Sequence, residues 1–207
     1  DFEKVIENYE KNKGKNQFLF NVTYQNHGSY NDAHDLKKTV NLGDEYGYDP
    51  YSTAENYLSL IKLTDEAFKD LVEYFKNVDE PTMIIMFGDH QPSLGNTSNS
   101  LFFPDSGTPE KDINQYITPF LIWANYDIPD QTIDKMSANY LSALIVNTAN
   151  MEMTPYQRFL FELMKKYPVI SLYGCYDSNG TFYNSVDDID DESIQEYRML
   201  QYNNVFD

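Results

Sequence analysis

Residues 83–92 read Met83-Ile84-Ile85-Met86-Phe87-Gly88-Asp89-His90-Gln91-Pro92. The apolar run Met83 to Phe87 is too short for a helix. Its hydrophobicity is continuous rather than alternating, which is the pattern of a strand covered on both faces, as in a mainly parallel sheet flanked by helices. Gly88 lets the backbone turn, and Asp89 and His90 then leave the sheet edge side by side. Two other runs have the same character: Phe18 to Thr23 (FLFNVT) and Pro119 to Trp123 (PFLIW). Both are expected to be strands of that sheet.

Between the first and second of these strands lies the strongest helical signal of the chain. Ser52 can cap a start with Glu55 three residues on, and Ala54, Leu58, Ile61, Asp65, Phe68, Leu71, Val72 and Phe75 trace mostly one stripe. Asp79, Glu80 and Pro81 end it. A helix between two apolar strands makes a βαβ unit, which crosses over right-handed and leaves its functional loops at the C-terminal ends of the strands.

Elsewhere, Phe2, Val5, Ile6 and Tyr9 fall at helical spacing, and Ser137 can cap a helix carrying Leu141, Leu144, Ile145 and Thr148. Thr154, Pro155 and Gln157 form a second capping signature before Phe159 to Met164. Val169 to Tyr176 and Thr181 to Asn184 read as a hairpin joined across residues 177–180, and Glu192 to Tyr202 as a last helix. The polar loop Pro92 to Pro109 and the acidic stretch Asp187 to Glu192 read as solvated.

Composition narrows the possible partners. With 33 acidic against 15 basic residues in 207, the formal net charge is -18, which disfavours nucleic acid and anionic membrane surfaces as partners of the body as a whole. The single cysteine, Cys175, excludes an internal disulfide and a zinc-finger spacing. No apolar run reaches the roughly 18 to 20 residues that cross a bilayer, and the start has none of the marks of a signal peptide. Helical spacing that begins at Phe2 with no leading cap leads us to expect that the chain starts inside a longer protein.

Chemistry is expected at two strand ends. Carboxylate and neutral imidazole together suit a divalent metal, so Asp89 and His90 are candidate ligands; manganese, zinc and magnesium all accept this pair, and spacing does not choose among them. The alternative is a turn-capping Asp beside a packed loop His. The second string, Asn26-His27-Gly28-Ser29-Tyr30, follows the first strand and should reach the same sheet edge. His27 could donate to a phosphate oxygen or protonate a leaving alkoxide, or simply bond loop backbone. Ser93 could contact substrate, with a turn hydroxyl bonded to its own backbone as the alternative. His34, Lys37 and Lys38 read as solvated.

The whole order resembles a known family. Asn-His-Gly-Ser-Tyr at 26–30, Glu55-Asn56-Tyr57 on a long helix, Phe-Gly-Asp-His-Gln-Pro at 87–92, Thr118-Pro119-Phe120-Leu121-Ile122-Trp123 and the terminal Tyr197-Arg198-Met199-Leu200-Gln201-Tyr202 are similar to the bacterial sulfatase-like family that contains lipoteichoic acid synthases and phosphoglycerol transferases, within the alkaline phosphatase superfamily. The resemblance implies an α/β class fold, an α/β/α sandwich with a mainly parallel sheet, here followed by a small C-terminal hairpin and helix. It implies that residues 1–207 are the C-terminal portion of a single catalytic domain, whose upstream portion would carry a metal-ligating Glu, a threonine nucleophile and membrane-spanning helices.

By the same resemblance Asp89 and His90 are metal ligands, with Mn2+ first and Mg2+ or Zn2+ as alternatives, and His27 is a catalytic and substrate-binding residue. The donor would be a phosphatidylglycerol-type lipid headgroup and the acceptor a glycerol-phosphate or glycan chain, at the extracellular face of a bacterial cell membrane. Lacking the nucleophile, the 207 residues alone should be inactive. Alternatives are another sulfatase-fold phosphodiesterase or phosphoethanolamine transferase, which Gln91-Pro92 disfavours, and a non-catalytic extracellular module that binds polymer.

Overall fold

The protein is represented by a computed structural model that describes residues 2–30, 36–43, 52–104 and 107–206. The chain divides into two compact units, the first formed by Asp1–Pro104 with Thr118–Asp127, the second by Asp105–Ile117 with Ile128–Asp207. Helices and short strands mix in both, consistent with the expected α/β class.

In the first unit, α1 (Phe2–Lys11) lies against the C-terminal half of α2 (Ser52–Phe75). Phe2, Val5 and Ile6 join Tyr9, Phe68, Leu71 and Phe75 in one apolar cluster, as the helical spacing at both places requires. Leu71 and Phe75 are each 4% exposed, and burial of a side chain of this size stabilises by about 1.5–3 kcal/mol. Two strands complete the cluster. β1 (Met83–Phe87) pairs with β2 (Phe120–Ala124), and Ile84 lies opposite Trp123, both packed on the helices.

This pairing is antiparallel, running from Met83↔Ala124 to Phe87↔Phe120, so the mainly parallel sheet expected from continuous hydrophobicity is not what the described residues form. The reason is a link of about thirty residues that brings the chain back in the opposite sense. Both ends of the ladder are locked. At one, the Asn125 side chain accepts from Thr82 N at 2.8 Å and donates toward Phe75 O, Val78 O and Glu80 O at 2.9–3.1 Å. At the other, Gly88 N donates to Pro119 O at 3.1 Å and Thr118 Oγ1 donates to Gly88 O at 2.8 Å.

Residues Phe18 to Thr23 correct a second expectation. They form no strand; Phe18, Phe20 and Val22 are 89%, 70% and 75% exposed. An apolar run becomes a strand only when a neighbour takes up its N–H and C=O groups. No neighbour does so among the described residues, and the expected βαβ unit is therefore not formed.

The N-terminal half of α2 also departs from the apolar stripe. It buries Glu55, Asn56 and Ser59 beside Ala54, while Ile61 is 37% exposed. Glu55 is held by groups outside its own helix. Its carboxylate accepts from Leu42 N at 2.6 Å and from Lys38 Nζ at 3.1 Å, so Lys38 is not simply a solvated charge. Ser59 Oγ accepts from Thr39 N at 3.0 Å. The expected loop 92–109 contains α3 (Gly95–Phe102) and runs into the single turn α4 (Pro109–Asp112), with Leu94 and Ser98 buried. Leu94 packs with Tyr30 and Ala54, so that apolar anchor, not polar composition, decides the path of the segment.

The second unit has its own core. A turn of 3-10 helix at Ala138–Tyr140 leads into α5 (Leu141–Thr148), followed by α6 (Pro155–Lys166), the antiparallel sheet β3 (Val169–Ser171), β4 (Gly174–Tyr176), β5 (Phe182–Tyr183), and α7 (Glu192–Phe206). Tyr140, Leu160, Leu163, Cys175, Ile194 and Tyr197 fill it. The capping box at Thr154 and Gln157 is present as expected, with Gln157 N donating to Thr154 Oγ1 at 3.2 Å. Ser137 caps nothing with its side chain; its Oγ accepts from Ile170 N and donates to Ile170 O, tying the helix start to β3. The run Val169 to Tyr176 is itself a hairpin turning at residues 172–173. Within the acidic stretch, Ile189 is buried and Asp187 pairs with Arg198.

Candidate active site

The end of β1 and the loop after residue 24 meet in the first unit. Gly88 makes the turn. A Cβ there would lie 3.1 Å from Thr118 Cβ, tighter than an ordinary contact, so a side chain at 88 would push the segment leading into β2 away by a few tenths of an ångström. Asp89 and His90 follow, 80% and 66% exposed. Asp89 Oδ1 accepts from His90 N at 2.9 Å, which fixes the turn and leaves Oδ2 facing outward. His90 Nδ1 lies 2.9 Å from Gln91 O, an arrangement that suits Nδ1–H as donor and leaves Nε2 with a free lone pair.

His27 repeats that pattern, with Nδ1 2.9 Å from Gly28 O. Its ring stacks on Tyr24, centroids 4.8 Å apart at 12°, and presents itself to His90 at 6.4 Å in an edge-to-face arrangement. The two imidazoles that the sequence places 63 positions apart therefore converge. They do so through the Tyr24–Tyr30 loop and not through a strand end. Ser93 is exposed, directly before the Leu94 that starts α3. His34 lies outside the described residues.

The donors fit a divalent cation in part. Asp89 Oδ2 and His90 Nε2 are 3.7 Å apart, a separation two ligands can take around one ion when each is about 2.1 Å from it. Among the described residues no group of three or more His, Cys, Asp and Glu could hold a metal, so this pair supplies two donors and His27 is not a third. Two donors with exposed neighbours make an open site, which leaves positions for substrate or for other ligands.

Sequence reasoning missed the polar row on α2 that holds the histidine loop. Asn56 Nδ2 donates to Tyr30 O at 2.6 Å and Thr64 Oγ1 to Asn26 Oδ1 at 3.0 Å. Tyr30 OH closes the loop on itself by donating to Asn26 O at 2.6 Å, and burial raises its pKa. The available signal was the break in the stripe, where Glu55, Asn56 and Ser59 stand next to Ala54 instead of apolar residues.

Comparison with known proteins defines the class. The profile of the Sulfatase family matches residues 1–151, and the chain belongs to that family. A Rhizobium meliloti protein named for cyclic beta-1,2-glucan modification is 28% identical over 203 residues, covering 91% of this chain and 31% of that protein. Among solved structures, the phosphoglycerol transferase GacH of Streptococcus pyogenes, in complex with sn-glycerol-1-phosphate, superposes with a TM-score of 0.53 at 18% identity over 75% of this chain and 36% of the other. That likeness is one of fold. The chain spans about a third of the length of either relative. Among the described residues no helix is long and apolar enough to cross a membrane.

Proposed function

We propose that this chain contributes to a metal-dependent phosphotransferase of the Sulfatase family, one that moves glycerol phosphate from a phospholipid headgroup to a glycan acceptor at the extracellular face of a bacterial membrane. The observation that carries it is the convergence of His27 on His90 beside Asp89 at the end of β1. The names of the two relatives support the choice of donor and acceptor: one is a phosphoglycerol transferase, the other is named for glucan modification.

In this reading Asp89 and His90 would hold the cation, Mn2+ first among Mn2+, Mg2+ and Zn2+. A bound cation supplies positive charge that lowers the cost of negative charge developing on phosphoryl oxygens. His27, as an imidazolium with hydrogen on Nε2 as well as on the Nδ1 that faces Gly28 O, binds a phosphate oxygen or hands the Nε2 proton to the departing alkoxide. Ser93 lies close enough in sequence to add a hydroxyl contact to substrate. The nucleophile and the remaining ligands would come from polypeptide outside these residues, so the 207-residue chain alone is inactive. Its charge of -18 repels an anionic bilayer, and the attraction for a lipid headgroup must then be local, from the cation and imidazoles.

Titration of Mn2+ into the chain by calorimetry tests the assignment. Specific binding should be present in the wild type and abolished in Asp89→Ala. Unchanged Mn2+ binding in Asp89→Ala removes the metal site from β1. Phosphodiester turnover by the purified chain would overturn the claim that it lacks its nucleophile.

A further inference from the structure

We infer that Asn56 and Thr64 of α2 are positioning residues for His27, holding its loop from behind so that the imidazole faces His90. The inference rests on the reading of His27 as a phosphate-binding residue and adds two side chains to that site. Neither touches His27, Asp89 or His90 in any hydrogen bond described.

The two anchors take opposite ends of one short loop. Thr64 Oγ1 holds the Asn26 side chain at 3.0 Å, and Asn56 Nδ2 holds the Tyr30 carbonyl at 2.6 Å. Eight residues separate them on one helix, about 12 Å along its axis at 1.5 Å per residue. His27 sits between the two held residues, and its freedom is reduced further by His27 N donating to Tyr24 O at 3.1 Å and by the stack on Tyr24. The ring is exposed, but its loop is fastened to a buried face of a 24-residue helix.

Asn56 carries a signature that packing alone does not explain. It is 3% exposed, its Nδ2 is used, and its Oδ1 is buried with no hydrogen-bond partner among the described residues. A half-satisfied buried amide is costlier than an apolar residue of the same size. The position therefore gives up stability in exchange for one bond, to the carbonyl that ends the histidine loop. Thr64, by contrast, is only partly buried and can be changed without opening the core.

The test is nuclear magnetic resonance on the full 207-residue chain, metal-free, reading the nuclear Overhauser contact between the ring protons of His27 and His90. The wild type should show the contact. Thr64→Val and Asn56→Ala should each lose it while the amide signals of β1 and β2 stay in place, and Thr64→Ser, which keeps the hydroxyl, should restore it. If Asn56→Ala does not fold, Thr64→Val with its Ser rescue decides. Persistence of the contact in Thr64→Val, or its absence from the wild type, overturns the positioning role. A parallel titration with sn-glycerol-1-phosphate should shift the His27 ring signals in the wild type and much less in Thr64→Val. A wild-type ring contact without any phosphate response overturns the functional reading of His27 and leaves the positioning result standing.

Discussion

Replacing Asn125 with Ala should be among the costliest single changes in the first unit, because that one amide serves four backbone groups. Its orientation is unambiguous: Oδ1 faces the Thr82 N–H, and Nδ2 faces three carbonyls, those of Phe75, Val78 and Glu80. Nδ2 has two protons to share among the three, so three good hydrogen bonds form at a time. At about 1 kcal/mol net for each bond, and more where a part-buried group is left without water, Asn125→Ala should lose about 2–4 kcal/mol. That is a large share of the roughly 5–15 kcal/mol that holds a typical domain together. Urea unfolding monitored by Trp123 fluorescence measures it, with the midpoint falling and the slope unchanged. Asn125→Asp is the sharper control, since it keeps the acceptor for Thr82 and sets a carboxylate against three carbonyl oxygens; it should lose at least as much as Ala. A loss below about 0.5 kcal/mol in Asn125→Ala, the range of an ordinary surface change, or an Asp variant as stable as wild type, would refute the lock.

Base should unfold the protein in a defined window. Tyr9 is pushed up to about 12 by burial and by its bond to Glu80, and Tyr167 to about 12 by burial and by Asp191. The folded protein keeps protons that the unfolded chain sheds from pH 10.0 upward, so stability contributed by these groups is complete below pH 10.0 and is lost as pH rises through about 12. Tyrosinate absorbance followed with stability against pH checks this, and a curve flat across that window counts against it. In the second unit, a Cβ at Gly174 would lie 2.4 Å from the Phe182 ring at a φ of +136°, whereas one at Gly180, φ +81°, meets nothing within 4 Å. Gly180→Ala should therefore cost only the left-handed backbone penalty, about 1–2 kcal/mol, and Gly174→Ala distinctly more. Equal melting temperatures for the two variants would mean that the sheet yields around Phe182.

Those elements whose stability is local were legible from the sequence. The Thr154 box, the stripe of α1 and the C-terminal half of α2 are patterns of a few neighbouring residues, and each forms as read. The apolar runs were another matter. Met83–Phe87 and Phe120–Ala124 found each other, but hydrophobicity carries no direction, and the pair closed antiparallel. Phe18 to Thr23 has the same character and no partner among the described residues, so it forms no strand and stays exposed. Polar residues inside a helix read by default as solvent-facing. That default concealed Glu55, Asn56 and Ser59, whose burial makes sense only once the backbone groups of Leu42, Tyr30 and Thr39 are seen to need them.

The pairing of the two histidines then follows from α2 and not from the sheet. The helix fastens the His27 loop through Asn56 near its start and Thr64 at its middle; at its end, the carbonyl of Phe75 engages Asn125, which also holds Thr82 at the root of β1. One element of 24 residues, about 36 Å long at 1.5 Å per residue, thus references both motifs. A helix cannot stretch without breaking its own hydrogen bonds, so the separation of His27 from His90 is set by a rigid body with a bond at either end. The exposed run 18–23 contributes none of these bonds; the imidazole is held through Asn26, Tyr30 and the stacked Tyr24.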